Sequence, residues 1–224
     1  MKTRMIVFDM AGTSVDEGNV VYKTLHKAIE KKCPEINFEQ VLLWGAGKEK
    51  LQAIKDTLLH TDHSLSDESI QEIFTDFLQE LEIAYENLVV IPTKNTERLF
   101  LELRTMNIKV VLNTGYNSIT AKSLIHKLNW IEGVHYDLLV TASDVSKNRP
   151  HPDMILFAMQ ALDINDPQTV IKVGDSTIDI EEGRNANCFL NIGVTTGAHT
   201  REELLNARPD YIFDNIYDIK TIIK

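Results

Sequence analysis

The chain has 224 residues, enough to bury a sizeable core as one large domain or as a core with a smaller insert. Its apolar and charged fractions, 43% and 25%, are those of an ordinary globular protein, and a formal net charge of −10 excludes a surface built for nucleic acid or anionic lipid. The two cysteines, Cys33 and Cys188, stand far apart with no ligand spacing around either, which predicts reduced core thiols rather than a disulfide framework or a thiolate metal site.

The first predicted element is the strand Met5–Phe8, an apolar run that ends on Asp9 and turns through Met10, Ala11, Gly12 and Thr13. Lys2 and Arg4 precede it without the apolar stretch of a signal peptide, and no run is of membrane length, so a cytoplasmic location is expected. From Glu17 to Val90 the periodicity is helical. Val21, Leu25, Ala28 and Ile29 form one stripe, Leu51, Ile54, Leu58 and Leu59 a second, and Ile70, Ile73, Phe77, Leu78 and Leu81 a third. Pro92 marks the return to strands. Further β-rich runs follow at Ile108–Leu112, Asp137–Val140, Val170–Val173, Phe189–Val194 and Tyr211–Phe213, most of them separated by helical segments. The alternation predicts an α/β fold with a Rossmann-like, doubly wound parallel sheet made of residues 1–16 and 91–224. An all-helical domain, residues 17–90, is inserted after the first strand.

Polar clusters follow each strand of the predicted core. Asp9 ends the first. Asn113, Thr114 and Gly115 follow the second, and Thr141 to Asp144 and then Arg149-Pro150 the third. Gly174, Asp175, Ser176 and Thr177 follow the fourth, with Asp179 four positions past Asp175. Open parallel sheets place ligands at the carboxyl ends of their strands, so these clusters converge on one crevice. Asp9, Asp175 and Asp179 are hard oxygen ligands suited to Mg²⁺. Thr114, loop amides and the fixed cation of Arg149 suit the oxygens of a phosphoryl group. With that repulsion screened, the Asp9 carboxylate can attack phosphorus as a covalent nucleophile. Taken singly, Asp175 and Asp179 read equally as helix-start acids, Arg149 as a surface ion-pair residue and Lys48 as a solvated lysine at a helix start. His126 and His135 lack partner spacing and read as structural, whereas His151 follows a proline in the third cluster and is expected to line the crevice.

Asp9-Met10-Ala11-Gly12-Thr13, Thr114-Gly115-Tyr116, Arg149-Pro150-His151-Pro152-Asp153 and Gly174-Asp175 with Asp179 match, in order, the four signatures of the haloacid dehalogenase superfamily. The chain resembles that superfamily over its whole length, with the helical insert in the place of the family's cap domain. The Asp-x-Ala-Gly-Thr form, with Asn113 to Tyr116, Arg149 in place of the commoner lysine and Val173 to Ala186, is similar to the phosphonatase-like branch, the phosphonoacetaldehyde hydrolases and their relatives. The resemblance implies a Mg²⁺-dependent hydrolase of a small phosphate monoester or phosphonate, working through an aspartyl phosphate on Asp9. It implies metal ligation by Asp9, the Ala11 backbone carbonyl, Asp175 and Asp179, and catalytic roles for Thr114 and Arg149. Gly12, Thr13, Asn113, Gly115 and Lys48 would contact the phosphoryl group. Most phosphatases of the superfamily carry a second aspartate as general acid where this chain has Ala11.

In the phosphonatases a cap lysine forms a Schiff base with the substrate aldehyde, and the matching stretch here is Trp44-Gly45-Ala46-Gly47-Lys48, with Lys48 at the lysine position. The family's histidine one turn later is Leu51 in this chain. Two further readings rank lower: a sugar-phosphate mutase, which needs the acid missing at Ala11, and a non-catalytic binding relative. The expected partners are a small phosphorylated or phosphonate metabolite and, optionally, a second copy of the chain.

Overall fold

The computed structural model describes residues 2–86 and 88–223. Its core is one six-stranded parallel sheet. The strands are β1 (Met5–Asp9), β4 (Lys109–Thr114), β5 (Leu138–Thr141), β6 (Val170–Gly174), β7 (Leu190–Val194) and β8 (Tyr211–Phe213), in spatial order β5-β4-β1-β6-β7-β8. The helices α5 (Thr96–Thr105), α6 (Ser118–Lys127), α7 (Asp153–Ala161), α8 (Thr177–Asn185) and α9 (Arg201–Asn206) connect them. The order reverses beside β1, which is the switch point where such sheets open a ligand crevice.

β1 is buried on both faces, as a central parallel strand must be, and its pleat splits its side chains between two cores. Ile6 and Phe8 join Phe100, Leu112 and Val173 on one side, while Met5 and Val7 join Val111, Val140, Met154 and Ile155 on the other. Phe8 and Phe100 ring centroids lie 4.9 Å apart, and Trp130 meets Phe100 edge-on at 5.5 Å. The register carries the sheet's polar ends into line: Asp9 sits opposite Asn113 and Thr114 opposite Thr141.

Two short strands, β2 (Val15–Asp16) and β3 (Ile91–Pro92), pair antiparallel and bracket a set of four helices: α1 (Val20–Glu30), α2 (Phe38–Gly45), α3 (Lys50–His60) and α4 (Asp67–Glu86). Both crossings between core and helices are therefore side by side. Thr93 pins them, its amide donating to Ser14 O at 3.1 Å and its hydroxyl to Thr13 O at 2.6 Å. The first apolar stripe, Val21, Leu25, Ala28 and Ile29, is buried as its spacing requires. Two stripe positions differ: Leu59 is 68% and Leu78 37% exposed. Leu59 lies a full helical step from the buried face of α3, and Leu78 lines the cleft between α4 and the core. α2 was not foreseen because its apolar content is short and unperiodic; an Asn37–Gln40 capping box fixes its start. Cys33 and Cys188 are buried and free, and among the described residues no helix is long and apolar enough to cross a membrane.

Phe100 is fully buried between Phe8 and Trp130, so Phe100→Ala should lower the unfolding free energy by roughly 3–5 kcal/mol in urea titration. A loss under about 1 kcal/mol would contradict the packing described.

Candidate active site

Asp9 ends β1 at 5% exposure, Asp175 follows β6 at 4%, and Asp179, in the first turn of α8, is fully buried. One ligand oxygen from each lies within 4.8 Å of the others. Crowding acids out of water is costly unless cations offset their charge. Two buried cations do so. Arg149 Nη1 donates to Asp9 Oδ1 at 2.6 Å and lies 3.1 Å from Asp179 Oδ1; its Nε donates to Glu182 Oε2 at 2.9 Å. Lys172 Nζ lies 2.9 Å from Asp179 Oδ1 and 3.1 Å from Glu182 Oε2. Asn113 joins the two, its Oδ1 accepting from Arg149 at 2.6 Å and Lys172 at 2.7 Å, its Nδ2 donating to both Glu182 oxygens at 3.0 Å.

Four buried carboxylates thus face two buried cations, and proton affinities reflect the surplus. Burial, against the pull of Arg149, pushes Asp9 up to about 7. Burial and the Asp179 charge push Asp175 up to about 6. Burial acts on Asp179 too, but Arg149 and Lys172 outweigh it and hold its carboxyl below the usual range. A divalent cation would neutralise the surplus, and three hard oxygen ligands fit Mg²⁺.

The surrounding turns are built for close approach. Gly12 has φ +80°, and a Cβ there would come within 2.6 Å of Asp175 Oδ2. Thr13 Oγ1 donates to Asp175 Oδ1 at 2.8 Å, the Ala198 amide donates to its Oδ2 at 2.6 Å, and Thr114 Oγ1 accepts the Tyr116 amide at 3.1 Å. Ala11, half-buried, follows Asp9 in the same turn.

The helices cover this site through the loop between α2 and α3. The Gly47 amide donates to Tyr22 Oη at 2.9 Å, and the Gly47 carbonyl accepts from Arg149 at 3.3 Å. A Cβ on Gly47 would meet Ile178 Cγ2 at 2.4 Å and Ser176 Oγ at 2.5 Å, and one on Gly115 would meet Lys48 O at 2.7 Å. The loop therefore rests backbone-first on the strand-end turns.

Two sequence expectations are corrected by this geometry. The Lys48 ammonium pairs with Asp56 at 2.5 Å and lines a cleft with Gln52, Lys147, Glu181 and Arg149, while its carbonyl rests against Gly115. His151 lines that same cleft. The Asn113 side chain is spent inside the charge network and has no donor left for a phosphoryl group. Arg149, expected to meet substrate, is also the counter-ion of Asp9. Sequence reasoning passed over Lys172, Glu182 and Lys50. A lysine inside the apolar strand Val170–Gly174 was the available signal, because a sheet covered on both faces cannot solvate it.

Residues 3–187 match the sequence profile of the haloacid dehalogenase-like hydrolases. The chain belongs to that family. It is 31% identical to a phosphonoacetaldehyde hydrolase of Bacillus mycoides over 93% of this chain and 83% of that protein, and 26% identical to the pyrophosphatase PpaX of Oceanobacillus iheyensis over 100% and 98%. Its fold is similar to a hydrolase from Pseudomonas syringae, with a TM-score of 0.85 at 20% identity, covering 99% and 97% of the two chains. A phosphonoacetaldehyde hydrolase-like protein from Oleispira antarctica gives 0.84 at 23% identity, covering 100% and 92%. As a haloacid dehalogenase-like hydrolase, the chain carries its acidic cluster and Arg149 on a phosphatase- and phosphonatase-like framework.

Removing one cation from a buried network leaves carboxylates uncompensated. Lys172→Met should therefore destabilise the protein by roughly 3–5 kcal/mol, read by urea unfolding. Unchanged stability would mean that Arg149 alone balances Asp179 and Glu182.

Proposed function

We propose that this hydrolase cleaves a small organophosphorus metabolite, with Mg²⁺ as its cofactor and Asp9 as the nucleophile that carries an aspartyl phosphate. The observation that carries the reading is the buried cluster of Asp9, Asp175 and Asp179 at the carboxyl ends of β1 and β6, with Arg149 on Asp9 Oδ1. Asp9, Asp175, Asp179 and the Ala11 carbonyl would hold the metal, which when bound screens the repulsion between two anions and polarises phosphoryl oxygens. Arg149 orients Asp9 and sets its fixed charge beside the reacting carboxylate, Thr114 fixes the turn that follows β4, and residues 17–90 act as a cap that excludes water. Gly12 and Gly115 keep the turns at the approach free of side chains, and Thr13 holds Asp175 through its hydroxyl. The mutase reading is not favoured, since Ala11 offers no acid, and the paired cations and acids of the site argue against a purely binding relative.

Asp9→Asn should abolish phosphate release while leaving circular dichroism and urea unfolding close to those of the parent. Activity within about tenfold of the parent would exclude covalent attack there. EDTA should stop turnover and added Mg²⁺ restore it; turnover unaffected by EDTA would remove the metal from the reading.

A second reading, carbon–phosphorus cleavage through a Lys48 imine, is supported by the relatives named phosphonoacetaldehyde hydrolase and by Ala11, since an imine leaving group needs no alkoxide protonation. The Lys48–Asp56 pair would first have to break. Borohydride with phosphonoacetaldehyde should leave no adduct on Lys48 if the ester reading holds, and Lys48→Arg should retain more than about a tenth of activity. A mapped Lys48 adduct would reverse the choice.

A further inference from the structure

The helical cap carries a second lysine whose setting is unlike that of Lys48. Lys50, at the first position of α3, is 6% exposed. Its ammonium makes one hydrogen bond among the described residues, to Lys48 O at 2.6 Å. That carbonyl is the atom resting on Gly115, in the turn that follows Thr114, so one shared oxygen links the ammonium to that turn. Tyr22 and Tyr116 flank it, their ring centroids 5.2 and 5.1 Å from Nζ. It lines a cavity of about 200 Å³ with Gly115, Tyr116 and Phe77, where the cap meets the core.

The charged groups around it come from four segments. Glu49 caps its own helix, Glu17 sits in the hinge after β2, and Asp9 and Arg149 belong to the core. Glu17 is 2% exposed, and its Oε1 has no hydrogen-bond partner among the described residues. Burial, partly opposed by these carboxylates, lowers Lys50 to about 8, whereas an ordinary lysine holds its proton too tightly to exchange it near neutrality.

Resting on the ester reading above, we propose that Lys50 is the acid and base that Ala11 cannot be. As Asp9 Oδ bonds to phosphorus and the bond from phosphorus to the leaving oxygen breaks, that oxygen takes a proton from the Lys50 ammonium and departs as an alcohol. The neutral amine then accepts a proton from the water that attacks the aspartyl phosphate. The bond from phosphorus to Asp9 breaks, the carboxylate returns, inorganic phosphate leaves and Lys50 is again an ammonium.

The experiment compares a panel of alkyl phosphates, whose alkoxides need a proton, with p-nitrophenyl phosphate, whose phenolate does not. Lys50→Met should lower kcat/KM, which reports only the steps up to departure of the leaving group, about 100-fold or more on the alkyl esters and less than about tenfold on p-nitrophenyl phosphate. On both, kcat is expected to fall through the shared hydrolysis of the aspartyl phosphate, and the comparison rests on kcat/KM. Lys50→Arg, which keeps the cation but cannot give up its proton, should show the same split and decides the matter if the methionine variant does not fold. Lys55→Met, on the exposed face of the same helix, should change neither. Equal losses on both ester types, or none, would overturn the role of Lys50 while leaving Asp9 as nucleophile. A parent that releases no phosphate from any ester, or an Asp9→Asn variant that still releases it, would overturn the nucleophile and this proposal together.

Discussion

The bidentate grip of Arg149 and the ammonium of Lys172 are what permit Asp9, Asp179 and Glu182 to share one buried space with Asp175. Each ion pays a desolvation penalty of several kcal/mol, and only near-complete pairing makes the arrangement tolerable. Asn113 is the piece that turns two ion pairs into a lattice, because a single carbonyl oxygen takes both cations while the amide nitrogen holds Glu182. The sheet supplies the rigidity: Asn113 lies in register with Asp9, and Lys172 projects from β6, paired directly with β1. The reacting carboxylate is thus aimed by covalently distant residues that three parallel strands hold in place.

The same guanidinium ties Asp9 to the inserted helices. Arg149 Nη1 reaches Asp9 and the Gly47 carbonyl together, so the seating of the cap loop and the orientation of the carboxylate share one donor. The loop can come so near only because Gly47 and Gly115 have no side chains at the contact. His199 adds a second tie, its Nδ1 accepting the Thr177 amide at 3.0 Å and its Nε2 donating to Leu42 O at 3.3 Å. The contact of the loop with the core is therefore carried largely by backbone atoms. Along the chain, the helices join the sheet through the paired crossings β2 and β3.

The parallel sheet, the helical insert after the first strand and the convergence of Asp9, Thr114, Arg149, Asp175 and Asp179 were legible in the sequence for a common reason. Strand ends in a wound sheet share a direction, so residues just past apolar runs meet in space whatever their distance along the chain. The carriers of charge balance were less legible. Lys172 and Glu182 look like solvated residues until β6 and α8 are seen to be covered, since a strand's period says which face a residue takes and not whether that face meets water. The lysines of the cap failed for a different reason. Lys48 and Lys50 flank the start of α3, and a difference of two residues around a helix start sends one ammonium to Asp56 and the other between two tyrosines. Local spacing cannot resolve that choice; the docking of the loop on Gly115 makes it.

Ala11 ties the division between sheet and cap to chemistry. The strand ends supply Asp9, Asp175 and the turns around them, with Arg149 and Asp179 from the loops and helix that follow, and on the proposed reading these are the nucleophile, metal ligands and guanidinium of the site. A methyl group in the turn after Asp9 removes the proton carrier from that fixed set. On the proposed reading the proton for a leaving oxygen comes from the helices, and Lys50 is held beside the turn at Gly115 by the same loop that rests on the strand-end turns. On that reading the docking of the loop and the supply of the proton go together. An open site could still align Asp9 with a phosphoryl group but would lack the acid that lets an alcohol depart.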